Sequence, residues 1–145
     1  MTQPQVPGKF ADFLSEHRKG VLVTLKRDGR PQLSNVLYAF DADRSRISMS
    51  VTADRAKTRN AARDPRVPLH VSSPDFWAYA VAEGDAVLGE PARDPDDASA
   101  DALVELYRTL AGEHDKWQKF REVQVLEQRL VLSIDVRHAY GMVRG

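Results

Sequence analysis

Apolar positions recur along this chain with two periods. From Lys9 to Lys19, Phe10, Phe13 and Leu14 stand at i, i+3 and i+4, which predicts a short amphipathic helix ended by Gly20 and laid as a lid over a core. Val21 to Lys26 reads as a strand, Arg27-Asp-Gly-Arg30 holds the Asp-Gly signature of a tight hairpin, and Pro31 to Phe40 reads as the returning strand. After a polar turn at Asp41 to Ser45, a third strand spans Arg46 to Thr52. In it Ile47, Met49 and Val51 alternate with Ser48, Ser50 and Thr52, so one face belongs to the core and the other is polar.

Ser50 to Arg66 reads as that strand running out into a short helix closed by Asp64-Pro65. Val67 to Ser72 is a fourth strand with Pro68 near its start, and Ser73-Pro-Asp75 is a turn. Trp77 to Leu88 is the fifth strand, with Trp77, Tyr79 and Val81 alternating against alanines and Gly84 marking a bend. Pro95 to Gly112 opens with acids and carries Leu103, Leu106, Tyr107 and Leu110 at helical spacing. Lys116 to Gln128 continues as a second helix through Trp117, Phe120, Val123 and Leu126. Arg129 to Val136 closes the chain as an apolar strand, followed by a tail at His138-Ala-Tyr-Gly141. Six short strands with one helical insertion favour an α+β fold, mainly β, built on an antiparallel barrel.

Composition narrows the picture. The 145 residues fit one domain, residues 1–145, and the 21 basic and 21 acidic residues cancel. That balance removes the broad positive field expected of a protein that works on nucleic acid or anionic lipid. Cysteine is absent, which excludes disulfides, thiolate nucleophiles and cysteine-ligated metals. Met1 to Gly8 has no apolar leader, and no apolar run approaches a membrane span, so the expectation is a soluble, unexported, cytoplasmic protein. The glycines are scattered, with neither a Rossmann turn nor a P-loop.

Candidate chemistry begins at the short helix. Asp54 reads as its N-cap, yet Arg55 and Lys57 fill the first turn, where the dipole favours acids. A phosphate would compensate, bound by the amides of Ala56, Lys57 and Thr58, the Thr58 hydroxyl, the Arg55 guanidinium and the Lys57 ammonium. The alternative is a solvated helix face, since Arg55, Arg59 and Arg63 stand four apart; Arg59 and Arg63 read as surface. His17, His70, His114 and His138 are isolated, so neither a metal site nor a nucleophilic triad is predicted. Asp94, Asp96, Asp97 and Asp101 open a helix and read as caps and dipole complements.

A cofactor-like set remains. Gln32, Ser34 and Asn35, then Ser48 and Ser50, the Arg55–Lys57 turn, and Trp77 with Tyr79 supply amides, hydroxyls, cations and aromatic faces. A flat, phosphorylated heterocycle uses all four. Trp77 and Tyr79 as plain core aromatics is the competing reading.

Arg30-Pro-Gln-Leu-Ser-Asn-Val36, Ser50 to Arg66 with Arg-Ala-Lys-Thr-Arg-Asn, Trp77-Ala-Tyr-Ala-Val-Ala-Glu-Gly84, Leu106-Tyr-Arg-Thr-Leu-Ala-Gly-Glu-His114 and Arg137-His-Ala-Tyr-Gly141 occur in an order and spacing that spans nearly the whole chain. Together they resemble the deazaflavin-dependent branch of the pyridoxamine 5'-phosphate oxidase-like, FMN-binding split β-barrel family. The resemblance implies a homodimer of six-stranded barrels with cofactor in clefts between subunits. The cofactor it implies is coenzyme F420, an 8-hydroxy-5-deazaflavin, or FMN in relatives.

It places Arg55, Lys57 and the backbone of Ala56 and Thr58 on the cofactor phosphate, with Asn60 in support. Gln32, Asn35, Ser50 and Val51 would lie along the ring and ribityl chain, and Trp77 and Tyr79 would approach from the partner subunit. The implied activity is an F420-dependent reductase moving a hydride between the deazaflavin and a small electron-poor substrate. Alternatives are an FMN flavoprotein or a non-catalytic F420-binding carrier. The tail, Val136-Arg-His-Ala-Tyr-Gly-Met142, lacks the Arg-x-His pattern and Trp-x-x-x-Arg-Leu ending of the vitamin B6 oxidases, so the resemblance does not extend to that activity.

Overall fold

A computed structural model describes residues 6–144. The elements are α1 (Gly8–Glu16), β1 (Lys19–Leu25), β2 (Pro31–Leu37), β3 (Ala39–Asp41), β4 (Arg46–Thr52), α2 (Ala56–Arg63), β5 (Arg66–Ser72), β6 (Tyr79–Leu88), α3 (Ala98–Ala111), α4 (Trp117–Leu126) and β7 (Arg129–Met142). The strands form one antiparallel sheet in the order β2-β1-β5-β6-β7-β4-β3. It curls into a half-barrel that brings β2, at one end, into contact with β4, the neighbour of the other end strand. Leu22, Ile47, Met49, Leu69, Val71, Leu132 and Ile134 fill its inside, and α1 closes one end with Phe10, Phe13 and Leu14 buried. The α3–α4 hairpin lies on the opposite face, against β4 and β7. Among the described residues no helix is long and apolar enough to cross a membrane.

The strand expected from Pro31 to Phe40 is two strands, so the sheet has seven rather than six. The break is Tyr38, fully buried, whose Oη donates to the Leu14 carbonyl at 2.8 Å and whose amide donates to the Arg18 carbonyl at 2.8 Å. Burial also pushes the Tyr38 phenol well above its ordinary range. The amide hydrogen bond to Arg18 is the last of the β1–β2 register, and beyond it the chain changes partners, from β1 on one side to β4 on the other. Gly20 does not end α1. It lies inside β1, where a Cβ would stand 3.0 Å from the His70 carbonyl oxygen and the Leu69 side chain.

Trp77 precedes its expected strand. It sits exposed in the turn between β5 and β6, which is closed by Ser73 N–H to Ala78 O and Trp77 N–H to Asp75 Oδ1. The expected tail at His138 to Gly141 is instead the far half of β7, paired with β6 as far as Tyr79 and Met142. The bend expected at Gly84 is a β-bulge. Glu83 pairs with His138 and Gly84 with Val136, leaving Arg137 as the extra residue. A Cβ on Gly84 would overlap the Asp135 carbonyl. Asp97 caps α3, accepting from the amides of Ala100, Arg93 and Asp94, as the acidic opening of that helix predicts.

The bulge yields a direct test. Gly84→Ala forces backbone apart in the longest ladder of the sheet, so it should destabilise the protein by about 2 to 3 kcal/mol in urea melts. A change below about 0.5 kcal/mol would show that the ladder adapts freely.

Candidate functional site

The site begins with the alternation of β4. Ile47, Met49 and Val51 are buried in the core, which turns Ser48, Ser50 and Thr52 to the other face, under α3 and α4. Beyond Thr52 the chain enters α2, whose N-cap is Arg55 rather than the expected Asp54; no side chain caps it and its first turn holds no acid. Thr58 performs the tethering, with Oγ1 donating to the Thr52 carbonyl at 2.7 Å and its amide to Arg55 O at 3.1 Å. The Thr58 hydroxyl proton is therefore engaged and cannot serve a ligand, contrary to expectation. The amides of Ala56 and Lys57 have no acceptor among the described residues.

Charge at this end is unbalanced. Neither Arg55 nor Lys57 has a carboxylate within salt-bridge distance among the described residues. Burial, then Arg55, then Arg129, pull the Lys57 pKa below the ordinary lysine value. Arg129 is a site residue that sequence reasoning missed. Its Nη1 donates to Ser50 Oγ at 3.2 Å and its Nε to Glu127 at 2.7 Å. The only local signal was a cation opening an apolar strand; its proximity to Lys57 follows from the pairing of Thr52 with Arg129. The Thr52 hydroxyl, at the same edge, is buried with no hydrogen-bond partner.

The remaining expected residues divide. Asn35, Ser50 and Lys57 border one cavity of about 420 Å³, together with Arg129 and, from the α3–α4 hairpin, Leu106, Tyr107, Phe120 and Gln124. A second cavity of about 440 Å³ shares Asn35, Val36 and Leu37 with the first and reaches His70 and Ser72, so the two adjoin across the end of β2. Gln32, Ala56 and Asn60 lie on the other side of α2, along an open groove with Lys26, Arg27 and Arg59.

Asn60 is saturated there. Its Nδ2 donates to Gln32 Oε1 at 2.8 Å and Thr24 Oγ1 at 3.2 Å, and its Oδ1 accepts from Arg63 at 2.9 Å. Arg63, expected at the surface without a role, also binds the Leu25 carbonyl at 2.9 Å, so it helps hold α2 to the β1–β2 hairpin. Val51 points into the core and offers a ligand only backbone, which is paired with β7. Trp77 and Tyr79 border neither cavity within the chain. Tyr79 stacks on His70 with centroids 5.5 Å apart, and Trp77 meets Phe76 edge-on at 5.7 Å.

The arrangement can hold an anion at the α2 end and a flat apolar body beside it. Among the described residues no group of three or more metal-ligating side chains comes together.

Known proteins share this frame. A structure of a conserved hypothetical protein from Mycobacterium tuberculosis is similar at a TM-score of 0.73 with 22% identity, over 99% of this chain and 90% of that one. An F420 reductase is similar at a TM-score of 0.64 with 23% identity, over 89% of this chain and 94% of that one. A pyridoxamine 5'-phosphate oxidase-related, FMN binding protein from Nostoc punctiforme is similar at a TM-score of 0.60 with 15% identity, over 92% and 78%. At these identities the likeness concerns the fold. The family model for pyridoxamine 5'-phosphate oxidase matches residues 6–142, and on that match the chain belongs to the pyridoxamine 5'-phosphate oxidase family.

Proposed function

We propose that the protein binds coenzyme F420 and is a reductase, passing a hydride from the reduced deazaflavin to a small electron-poor substrate. The observation that carries this reading is the α2 end. The cations Arg55 and Lys57, without carboxylate partners, and the amides of Ala56 and Lys57, without acceptors, meet at the start of α2, and Lys57 borders the cavity of about 420 Å³. A phosphate satisfies all four groups at once, through charge-assisted hydrogen bonds and the helix dipole. Arg55, Lys57 and the Ala56 and Lys57 amides would hold it, and Asn35 and Ser50 would orient the ring system along the end of β2. The chemistry of hydride transfer is then the cofactor's, and the protein supplies position and electrostatics. FMN also carries a phosphate on its ribityl chain; the F420 reductase among the similar structures is what favours the deazaflavin.

The reading includes a homodimer. Cross-strand partners point to the same side of a sheet, and the register sets Asn35, Val21, His70, Val81 and Tyr140 in one outward row, with Tyr79 beside Met142 in the next. Tyr140 and Met142 are exposed, as are Leu33, Leu37 and, on the adjoining turn, Phe76 and Trp77. A second copy would cover this face and bring its own Trp77 and Tyr79 toward the end of β2.

Three outcomes are expected. Lys57→Ala should weaken F420 binding by roughly ten- to a hundredfold in a fluorescence titration, since a charge-assisted contact is worth about 1.5 to 3 kcal/mol. Burial and like charges disfavour the Lys57 cation in the fold, so ligand-free stability should rise as pH climbs through its lowered pKa toward the ordinary value. Removing the cation should leave the ligand-free protein no less stable at neutral pH. Lys119→Ala, on the exposed side of α4, is the charge control. Unchanged affinity in Lys57→Ala would remove α2 from the site.

Sedimentation at micromolar concentration should show a dimer, and a stable monomer would remove the proposed interface. With FMN and oxygen, the protein should form no pyridoxal phosphate from pyridoxamine phosphate at turnover rates typical of enzymes, about 1 per second or faster. Steady production would overturn the deazaflavin assignment.

A further inference from the structure

The cavity that Lys57 borders extends beyond anything a phosphate needs. Its far wall is the α3–α4 hairpin, where Leu103, Leu106, Tyr107 and Phe120 present apolar surface. Gln124 is the exception in that wall. The residue is 6% exposed, and Nε2 donates to the Phe120 carbonyl at 3.0 Å. That bond holds the carboxamide in one orientation and uses one of its two N–H groups. Oε1 and the second N–H have no partner among the described residues, and the small exposure that remains opens on the cavity. Oε1 is not sealed off, since the Thr52 hydroxyl is the buried side-chain polar atom left without a partner among the described residues. A ligand that displaces water from this wall therefore has to replace its hydrogen bonds to the carboxamide.

We infer that this chamber takes the substrate, an uncharged flat molecule of one or two rings whose edge presents an N–H beside a C=O: a cyclic amide. The edge follows from Gln124, since its open groups are one acceptor and one donor, and the matching molecule offers the reverse. Flatness follows from Tyr107 and Phe120, whose rings meet edge-on with centroids 5.0 Å apart and wall the chamber with aromatic surface. The absence of charge follows from the cations that border the cavity. Lys57 belongs to the α2 end, and Arg129 is already engaged by Glu127 and Ser50. The inference rests on the α2 end being the cofactor's phosphate site with the ring system beside Asn35 and Ser50, which leaves the hairpin side of the chamber to the hydride acceptor; the binding chemistry of Gln124 stands independently of it.

The probes are 2-quinolone and coumarin, two-ring molecules of one shape that differ by N–H against ring oxygen. Trp77→Phe leaves Trp117 as the only tryptophan, with its ring 5.5 Å from that of Phe120, so quenching of its emission by 2-quinolone reports binding in ligand-free protein. Saturable quenching is expected, with coumarin displacing 2-quinolone at least about tenfold more weakly, the worth of one hydrogen bond. Gln124→Leu should abolish the difference between the two, and Leu110→Phe, on the rim, should weaken both. In the F420-loaded protein 2-quinolone should bind alongside the cofactor, and F420 affinity should change less than about twofold in Gln124→Leu. Equal binding of the two probes, or a discrimination that survives Gln124→Leu, overturns the assignment. Mutual exclusion of 2-quinolone and F420 overturns the chamber as a separate substrate site. Failure of F420 to bind while 2-quinolone still does would sink the cofactor reading and leave Gln124 as the reader of a cyclic amide.

Discussion

The site depends on how α2 is held. Eight residues are too few for a helix to stand alone in water, and the apolar content of this one is small. Polar clamps hold it instead. Thr58 ties its start to the end of β4, while Asn60 and Arg63 tie its flank to β1 and β2. Because the side chains do the anchoring, the helix end is free of the acidic cap that ordinary helices use, and two cations persist beside unpaired amides. Desolvation and mutual repulsion disfavour the Lys57 charge. The clamps therefore hold in place an electrostatic arrangement that an anion would relieve, which is what the proposed phosphate site requires.

Strand β4 couples this end to the rest. Its inward residues belong to the core of the half-barrel, and its outward serines form a floor of small polar groups. The α3–α4 hairpin covers that floor with larger apolar and aromatic side chains, which leave a cavity between them. Ser48 and Ser50 find partners across the ladder, in Ser133 and Arg129, so the floor is nearly satisfied without a ligand. The exceptions, Thr52 Oγ1 and the open groups of Gln124, lie at the edge of this layer and in its roof.

Two local irregularities shape the sheet around that layer. Tyr38 diverts the chain from one ladder to another at the seam where the sheet curls round. The bulge at Gly84 and Arg137 shifts the alternation of β7, so Leu132, Ile134 and Val136 face the core but Ala139 takes over the inward position beyond it. That shift sends Tyr140 and Met142 outward, onto the same face as the apolar side chains of β1 and β2. An apolar face on a small domain is then a consequence of register.

Local periodicity determined much of this without a structure. The alternation of Ile47 to Thr52, the Asp-Gly hairpin, the Asp97 cap, the bend at Gly84 and the odd cations of the first turn of α2 are each written within a few neighbouring residues, where backbone sterics and dipoles act. Missed features share a different cause. Tyr38 breaks a strand because of a carbonyl in α1, His138 to Gly141 is strand because β6 lies beside it, and Thr58 is spent on Thr52 rather than on a ligand. Arg129 joins the site through strand pairing, and Gln124 through the packing of a helix hairpin on a sheet. The sequence by itself determined most of the helix and strand segments and their apolar faces, because those follow from spacing along the chain, but not where a strand breaks at Tyr38 or continues past His138. Only the tertiary structure decided which polar group is already satisfied and which still faces a cavity, because a hydrogen-bond partner is chosen by proximity in space.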